Sequence, residues 1–237
     1  MKITYIHHSS FLVELEHVSM LFDYYAGPLP EIRKDRPLVV FASHFHGDHF
    51  APVIFDLAKD REDVNYVLSK DISKKKVPDN LIGRVTFVKA GEKLTLYTEG
   101  REAGLEIETF KSTDEGVAFW ITCEGSTIYH AGDLNNWWWE GEDKAWNHNM
   151  AANYAHEMRK MEGRTVDAAF VPLDPRLEQW FYLGMKEFME KVDAKAVIPM
   201  HFWKDYSIIE KMRQHPSSEG WRERLVEIHR EGEELAI

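Results

Sequence analysis

Leu38-Val39-Val40-Phe41-Ala42-Ser43-His44-Phe45-His46-Gly47-Asp48-His49 decides how this sequence is read. The first five residues are wholly apolar, the pattern of a strand buried on both faces. That strand runs straight into His44, His46, Asp48 and His49, packed within six residues. In an extended strand end His44 and His46 point the same way, because side chains alternate with period two. Gly47 then lets the backbone turn sharply, which brings Asp48 and His49 round to the same cavity. Imidazole nitrogens and a carboxylate suit zinc well, and manganese or iron acceptably. A chance cluster of surface polar residues is the alternative, and it leaves the spacing without a cause.

Two later segments supply what the cluster lacks. His130-Ala131-Gly132-Asp133 and Ile198-Pro199-Met200-His201 each follow an apolar strand-like run. Loops at one edge of packed sheets can converge on a single site. Alone, Asp133 could be a turn residue and His201 a satisfied histidine. Beside the upstream cluster, both become candidate ligands.

Working outward, Phe11, Val13 and Leu15 alternate with Glu14 and Glu16 as on a half-buried strand, and Ser19 to Asp23 forms the next. Gly27, Pro28, Pro30 and Pro37 mark a loop. A short helix is expected over Pro52–Lys59, and strands at Tyr66–Leu68, Val85–Val88, Leu94–Tyr97 and Leu105–Thr109. A hairpin joins Val117–Cys123 to Thr127–His130 through Glu124-Gly125-Ser126. After residue 146 helices and strands alternate: helix over Met150–Met161, strand at Asp167–Val171, helix over Leu177–Val192, strand at Ala196–Ile198, helix over Tyr206–Arg213. Many strands followed by alternating helix and strand predict an α/β chain whose sheets carry helices on their outer faces. With no internal linker and no repeat, residues 1–237 read as one domain.

Composition excludes several classes. At 44% hydrophobic and 29% charged residues, disorder is not expected. No apolar run is long enough to span a bilayer, and Met1 to His8 lacks the pattern of a signal peptide, so a cytoplasmic protein without a membrane partner is expected. A net charge of −11 disfavours a nucleic-acid partner, yet leaves room for a small anionic substrate beside a metal ion. Cys123, the one cysteine, reads as a small buried hydrophobe, and Lys74-Lys75-Lys76 as a solvated loop.

His44-x-His46-x-Asp48-His49, then Gly132-Asp133, then His201 resembles the motif series of the metallo-β-lactamase superfamily, in its usual order. Strand-ending Asp23 looks like that superfamily's first motif, an acidic residue behind the ligands. His8-Ser9-Ser10-Phe11-Leu12-Val13 and Tyr129–Asp133 look most like the stand-alone branch that includes ascorbate phosphate lactonase. The resemblance implies a four-layer αββα sandwich of two mixed sheets, with one or two ions, zinc foremost, at the sheet edge. It also implies a site of His44 and His46, a site of Asp48, His49 and His201, and Asp133 between them. One departure stands out. The superfamily normally has another histidine before Gly-Asp, and none lies between His49 and His130. Asp114, in Phe110–Gly116, is the candidate oxygen ligand in its place; otherwise that site keeps two protein ligands.

The expected chemistry is hydrolysis of a small ester, lactone or phosphoester by a metal-activated water, with Asp48 or Asp133 taking its proton. His8 and His130 are candidates for supporting the ligands or donating to a developing oxyanion; both could equally be structural histidines. His7, His17, His148, His156, His215 and His229 receive no role. Trp137-Trp138-Trp139 cannot all share one face, so some should border the site and contact substrate, unless they only pin a loop. Arg176 is expected to clamp a carboxylate or phosphate, or else to pair with Asp174 or Glu178. Two rival readings remain: a phosphodiesterase acting on nucleic acid, and a metal-binding protein that has lost catalysis.

Overall fold

The computed structural model describes residues 1–98 and 104–237. Its strands are β1 (Lys2–His7), β2 (Ser10–Glu14), β3 (Ser19–Phe22), β4 (Leu38–Ala42), β5 (Val64–Ser69), β6 (Val85–Val88), β7 (Lys93–Leu96), β8 (Leu105–Lys111), β9 (Val117–Cys123), β10 (Ser126–His130), β11 (Thr165–Pro172), β12 (Asp193–Met200) and β13 (Glu233–Leu235). They form two mixed sheets, ordered β13-β1-β2-β3-β4-β5-β6 and β12-β11-β10-β9-β8-β7. The α-helices are α1 (Lys144–Arg159), α2 (Leu183–Lys191) and α3 (Ser207–Gln214).

Period-two alternation splits each strand of the first sheet between two cores. Phe11, Val13, Met20, Phe22, Val39, Phe41 and Val67 join the large core shared with the second sheet. Leu12, Leu21, Leu38, Val40, Tyr66 and Leu68 face the other way, onto Phe50, Ile54 and Phe55. β4 therefore has no solvent face, as its uninterrupted apolar run predicts. Phe170 on β11 bridges the sheets, its ring 4.4 Å from Phe11 and 6.1 Å from Phe22. Phe170→Ala should cost about 3–5 kcal/mol in chemical unfolding, since the cavity left lies between two sheets that cannot both collapse into it. A loss under 1 kcal/mol would show that the contact is not a packing centre.

Several predicted elements take a different form. Pro52–Lys59 is a 3-10 helix, and Lys74–Lys76 makes an exposed 3-10 turn rather than an irregular loop. The helix expected over Leu177–Val192 is broken: Pro175–Trp180 is 3-10, with Glu178 at φ 53°, and α2 starts only at Leu183. α1 begins earlier than predicted, at Lys144, where the Asp143 side chain accepts from the Trp146 amide at 2.7 Å.

Strand direction positions the site. β1, β3 and β4 run the same way in the first sheet; β8, β10, β11 and β12 do so in the second. His8, Asp23, His44, Asp114, Asp133, Asp174 and His201 all lie just beyond the carboxyl ends of these strands. Crevices at such ends are where open α/β sheets bind ligands.

Candidate metal centre

Two buried carboxylates hold the histidines from behind. Asp23 Oδ1 accepts from the Ser43 amide at 2.7 Å, and its Oδ2 accepts from Ser43 Oγ at 2.6 Å and pairs with His49 Nδ1 at 2.7 Å. Ser43 Oγ lies 3.0 Å from His44 Nδ1. Because that hydroxyl donates to Asp23, it accepts from His44, so one carboxylate fixes the tautomers of both His44 and His49. Asp174, after β11, does the same for His201, taking its Nδ1 proton at 2.8 Å. In each ring the Nε2 lone pair is left to face inward. Burial works against the Asp23 carboxylate, but His130, His49 and His44 outweigh it and hold its pKa below the ordinary value. Asp23→Asn keeps the volume and loses the acceptor. We expect metal affinity to fall about 10–100-fold, with turnover following; unchanged affinity by calorimetry would remove Asp23 from this role.

The inward atoms sit at ligand spacing. Two ligands about 2.0–2.1 Å from one tetrahedral zinc lie about 3.3 Å apart. His49 Nε2 is 3.2 Å and His201 Nε2 3.4 Å from Asp133 Oδ1, while His44 Nε2 is 3.4 Å from Asp133 Oδ2. Asp133 thus turns one oxygen to each of two groups of histidines. His8 Nε2, His44 Nε2, His49 Nε2 and Asp133 Oδ1 are buried and have no hydrogen-bond partner. Orphaned buried polar atoms are rare and costly, so four at one spot fit the donor set of a cation. Candidate ligand groups are His8, Asp48, His49 and His201; His44, His46 and Asp48; His44, His49 and Asp133; and His46, Asp114 and Asp133.

Without an ion the electrostatics divide the donor set. Burial pushes His8 down to about 4, and burial with His49 does the same for His44, leaving neutral rings able to coordinate. Burial also opposes a charge on His49 and Asp133. Their mutual attraction outweighs it, raising His49 well above and lowering Asp133 well below the usual values. Asp114 is raised, by burial and by Asp133.

Residues 2–148 match the beta-lactamase superfamily domain. The chain belongs to that family. A metal-dependent hydrolase of Desulforamulus reducens is 31% identical over 217 residues, 85% of this chain and 84% of that protein. One from Carboxydothermus hydrogenoformans is 28% identical over 215 residues, with the same shares covered. Among solved structures, the metallo hydrolase Igni18 of Ignicoccus hospitalis superposes with a TM-score of 0.65 at 20% identity, over 98% of this chain and 96% of that one. That likeness shows the fold, with its two sheets and outer helices.

The superfamily motifs His44, His46, Asp48, His49, Asp133 and His201 converge, and Asp114 joins them, Oδ2 lying 3.9 Å from His46 Nδ1. The local reason differs from strand alternation. β4 ends at Ala42, and His49 and Phe50 amides bond back to the His46 carbonyl, so a turn gathers the ligands. Gly47 is not at positive φ and an added Cβ would touch nothing, so the turn does not depend on it. Asp48 groups with His8 around His49 and His201, the same two imidazoles that Asp133 Oδ1 faces.

A cavity of about 350 Å³ opens over the centre, lined by His46, Asp48, Asp114, Asp133, Trp137, Trp139, Trp146, Met150, Arg176 and His201. Trp137 is anchored by its Nε1 donating to the Asp133 carbonyl at 2.8 Å, and stacks on Trp139 at 6.1 Å. Trp138, expected at the mouth, turns away onto His148 and Trp180; Trp139 takes its place. His130 is corrected too: it is fully buried, stacked on Phe22, with Nε2 donating to the Ser9 carbonyl and Nδ1 accepting from the Gly132 amide. No ring nitrogen is left for the cavity, so it braces the Asp133 loop. Arg176 makes the ion pair with Asp174 that was the ordinary expectation for it. It forks onto Asp174 and lines the cavity, its guanidinium 4.7 Å from the Trp203 ring. The bond of Asp174 to His201 was not foreseen, nor were Trp146, Met150 and Trp203 as neighbours of the site. An aspartate closing an apolar strand, as Asp23 does, was the available signal for Asp174. Trp203, after His201, carried none.

Proposed function

We propose that this protein is a metal-dependent hydrolase that cleaves a small ester, lactone or phosphoester with an activated water. The reading rests on one observation: buried unpartnered imidazole and carboxylate atoms lie at ligand spacing, next to a cavity lined by Asp133, His201 and aromatic residues. The names of its relatives support it. A divalent cation, zinc foremost by donor type, supplies Lewis acidity and makes water nucleophilic near neutral pH. Asp133 has both oxygens turned to histidines, so the proton of the attacking water is assigned to Asp48, part-exposed at the cavity. Trp137, Trp139 and Trp146 cover the apolar part of a substrate, and Arg176 draws its anionic part toward the reacting end.

About 350 Å³ is near the small end of ligand pockets and takes one small molecule. With a net charge of −11, a polynucleotide is disfavoured. The test is metal content together with turnover on a panel of lactones, carboxylic esters, phosphodiesters and an oligonucleotide. Turnover of a small substrate, lost in chelator and restored by zinc, manganese or iron, is the expected result. Metal binding without any turnover would leave a binding or sensing module, and oligonucleotide cleavage alone would favour the nuclease reading.

A further inference from the structure

We propose that His8 is a metal ligand, joining Asp48, His49, His201 and the facing oxygen of Asp133 at the tighter ion position of this chain. The inference rests on the metal-centre reading above and deepens it. His8 lies outside the motif series that placed the other ligands, in the tight turn between β1 and β2.

Three observations carry it. First, the ring is 2% exposed and its Nε2 has no hydrogen-bond partner. The Asp48 carboxylate 3.5 Å away is too distant to repay the desolvation of that nitrogen. Second, the atom is in the right place. It lies 3.5 Å from Asp48 Oδ2, and one donor atom each from His8, Asp48, His49 and His201 falls within a 4.8 Å set. Third, the backbone is held in an unfavourable conformation to put it there. His8 has φ 51°, a region costly for a residue with a Cβ. The Tyr5 hydroxyl accepts from its amide at 3.0 Å, and the His201 amide donates to its carbonyl at 3.3 Å. The ring is clamped between His201 and Trp203, with centroids 4.2 and 4.3 Å away. A histidine serving only as packing would not need its orphaned nitrogen aimed at two other imidazoles.

The arrangement bears on the histidine missing between His49 and His130. The group left around His46 and Asp114 has side chains 37% and 50% exposed. The His8 group has three buried imidazoles. One ion should therefore bind first and tightly beside His8, and a second more weakly beside His46.

The experiment loads the purified chain with one equivalent of zinc and counts imidazole ligands by X-ray absorption. Zinc affinity is measured on the same samples by competition with a chromophoric chelator. We expect three imidazoles in the native chain and two in His8→Asn, with affinity weakened about 100-fold or more, beyond the usual upper effect of an outer-sphere partner. Asparagine is chosen because it tolerates the left-handed backbone; His8→Gln is the second variant. Two imidazoles in the native chain overturn the proposal whether or not the variants fold. So does an equal count in native and variant proteins, which would make His8 only a partner of Asp48. A native chain that binds no zinc overturns the metal centre itself, a different result from a chain that binds zinc without His8.

Discussion

Asp133→Asn should lower kcat/KM by at least about 10³-fold, corresponding to the several kcal/mol that metal assistance supplies to a hydrolytic transition state. The substitution is isosteric, so packing is preserved. One carboxylate oxygen faces His49 and His201 and the other faces His44. An amide can offer only one oxygen, and its NH2 would donate into an imidazole lone pair that should meet the ion. Both ion positions are damaged by one change. The same variant should lose the thermal response to zinc. At a free zinc concentration 100 times Kd, binding stabilises the native chain by about 2.7 kcal/mol, or about 5–10 °C in Tm for a chain of this length. In Asp133→Asn the shift should be near zero. Melting curves with and without zinc decide it: a full shift retained in the variant would mean that Asp133 is not shared between the ions.

Gly116→Ala should be strongly destabilising for a change of one methyl group. Gly116 sits at φ +71°, in the turn after Asp114. A Cβ there would lie 2.0 Å from the Ser43 carbonyl oxygen and 2.5 Å from His44 Cβ. The Ser43 carbonyl cannot simply yield, because it accepts from the Val117 amide at 3.0 Å. A left-handed alanine costs about 1–2 kcal/mol, and overpacking adds about 1–3. The expected sum, about 2–5 kcal/mol, lowers Tm by roughly 5–15 °C. Activity should fall further than stability, since the displaced atoms belong to His44 and its support. Gly47→Ala is the matched control. An added Cβ there meets nothing within 4 Å, so unfolding should change by less than about 0.5 kcal/mol. Similar melting of the two variants would refute the close approach of the β8–β9 turn to the histidine loop.

The residues that were legible before folding are those whose pattern is local. β4 announces itself by five consecutive apolar residues, and the histidine run follows it without a gap. β13, with only Glu233 to Leu235, is too short and too charged to show a period, and it exists because β1 offers it a free edge. α1 starts ahead of the predicted Met150, across Asn147 and Asn149, which are poor helix formers; the Asp143 cap and the Asn147 bonds to Trp139 override that preference. This hid Trp146 and Met150, which line the cavity. The break before α2 follows from contacts across the fold, Trp180 reaching Glu140 and Trp138, and no window of 10 to 15 residues contains them. His8 was visible as a motif residue, but its aim at His49 and His201 depends on three chain segments meeting.

The side chains around the centre come from both layers of the sandwich: His8, Asp23 and the histidine loop from one, Asp114, Asp133, Asp174 and His201 from the other. An ion there is a rivet through the rim where the two halves meet, while the aromatic core fastens the interior. Stripping it with a chelator leaves the interior closed and frees the rim, so the protein without its ion should breathe at that one edge, like a book whose clasp has been undone and whose spine still holds.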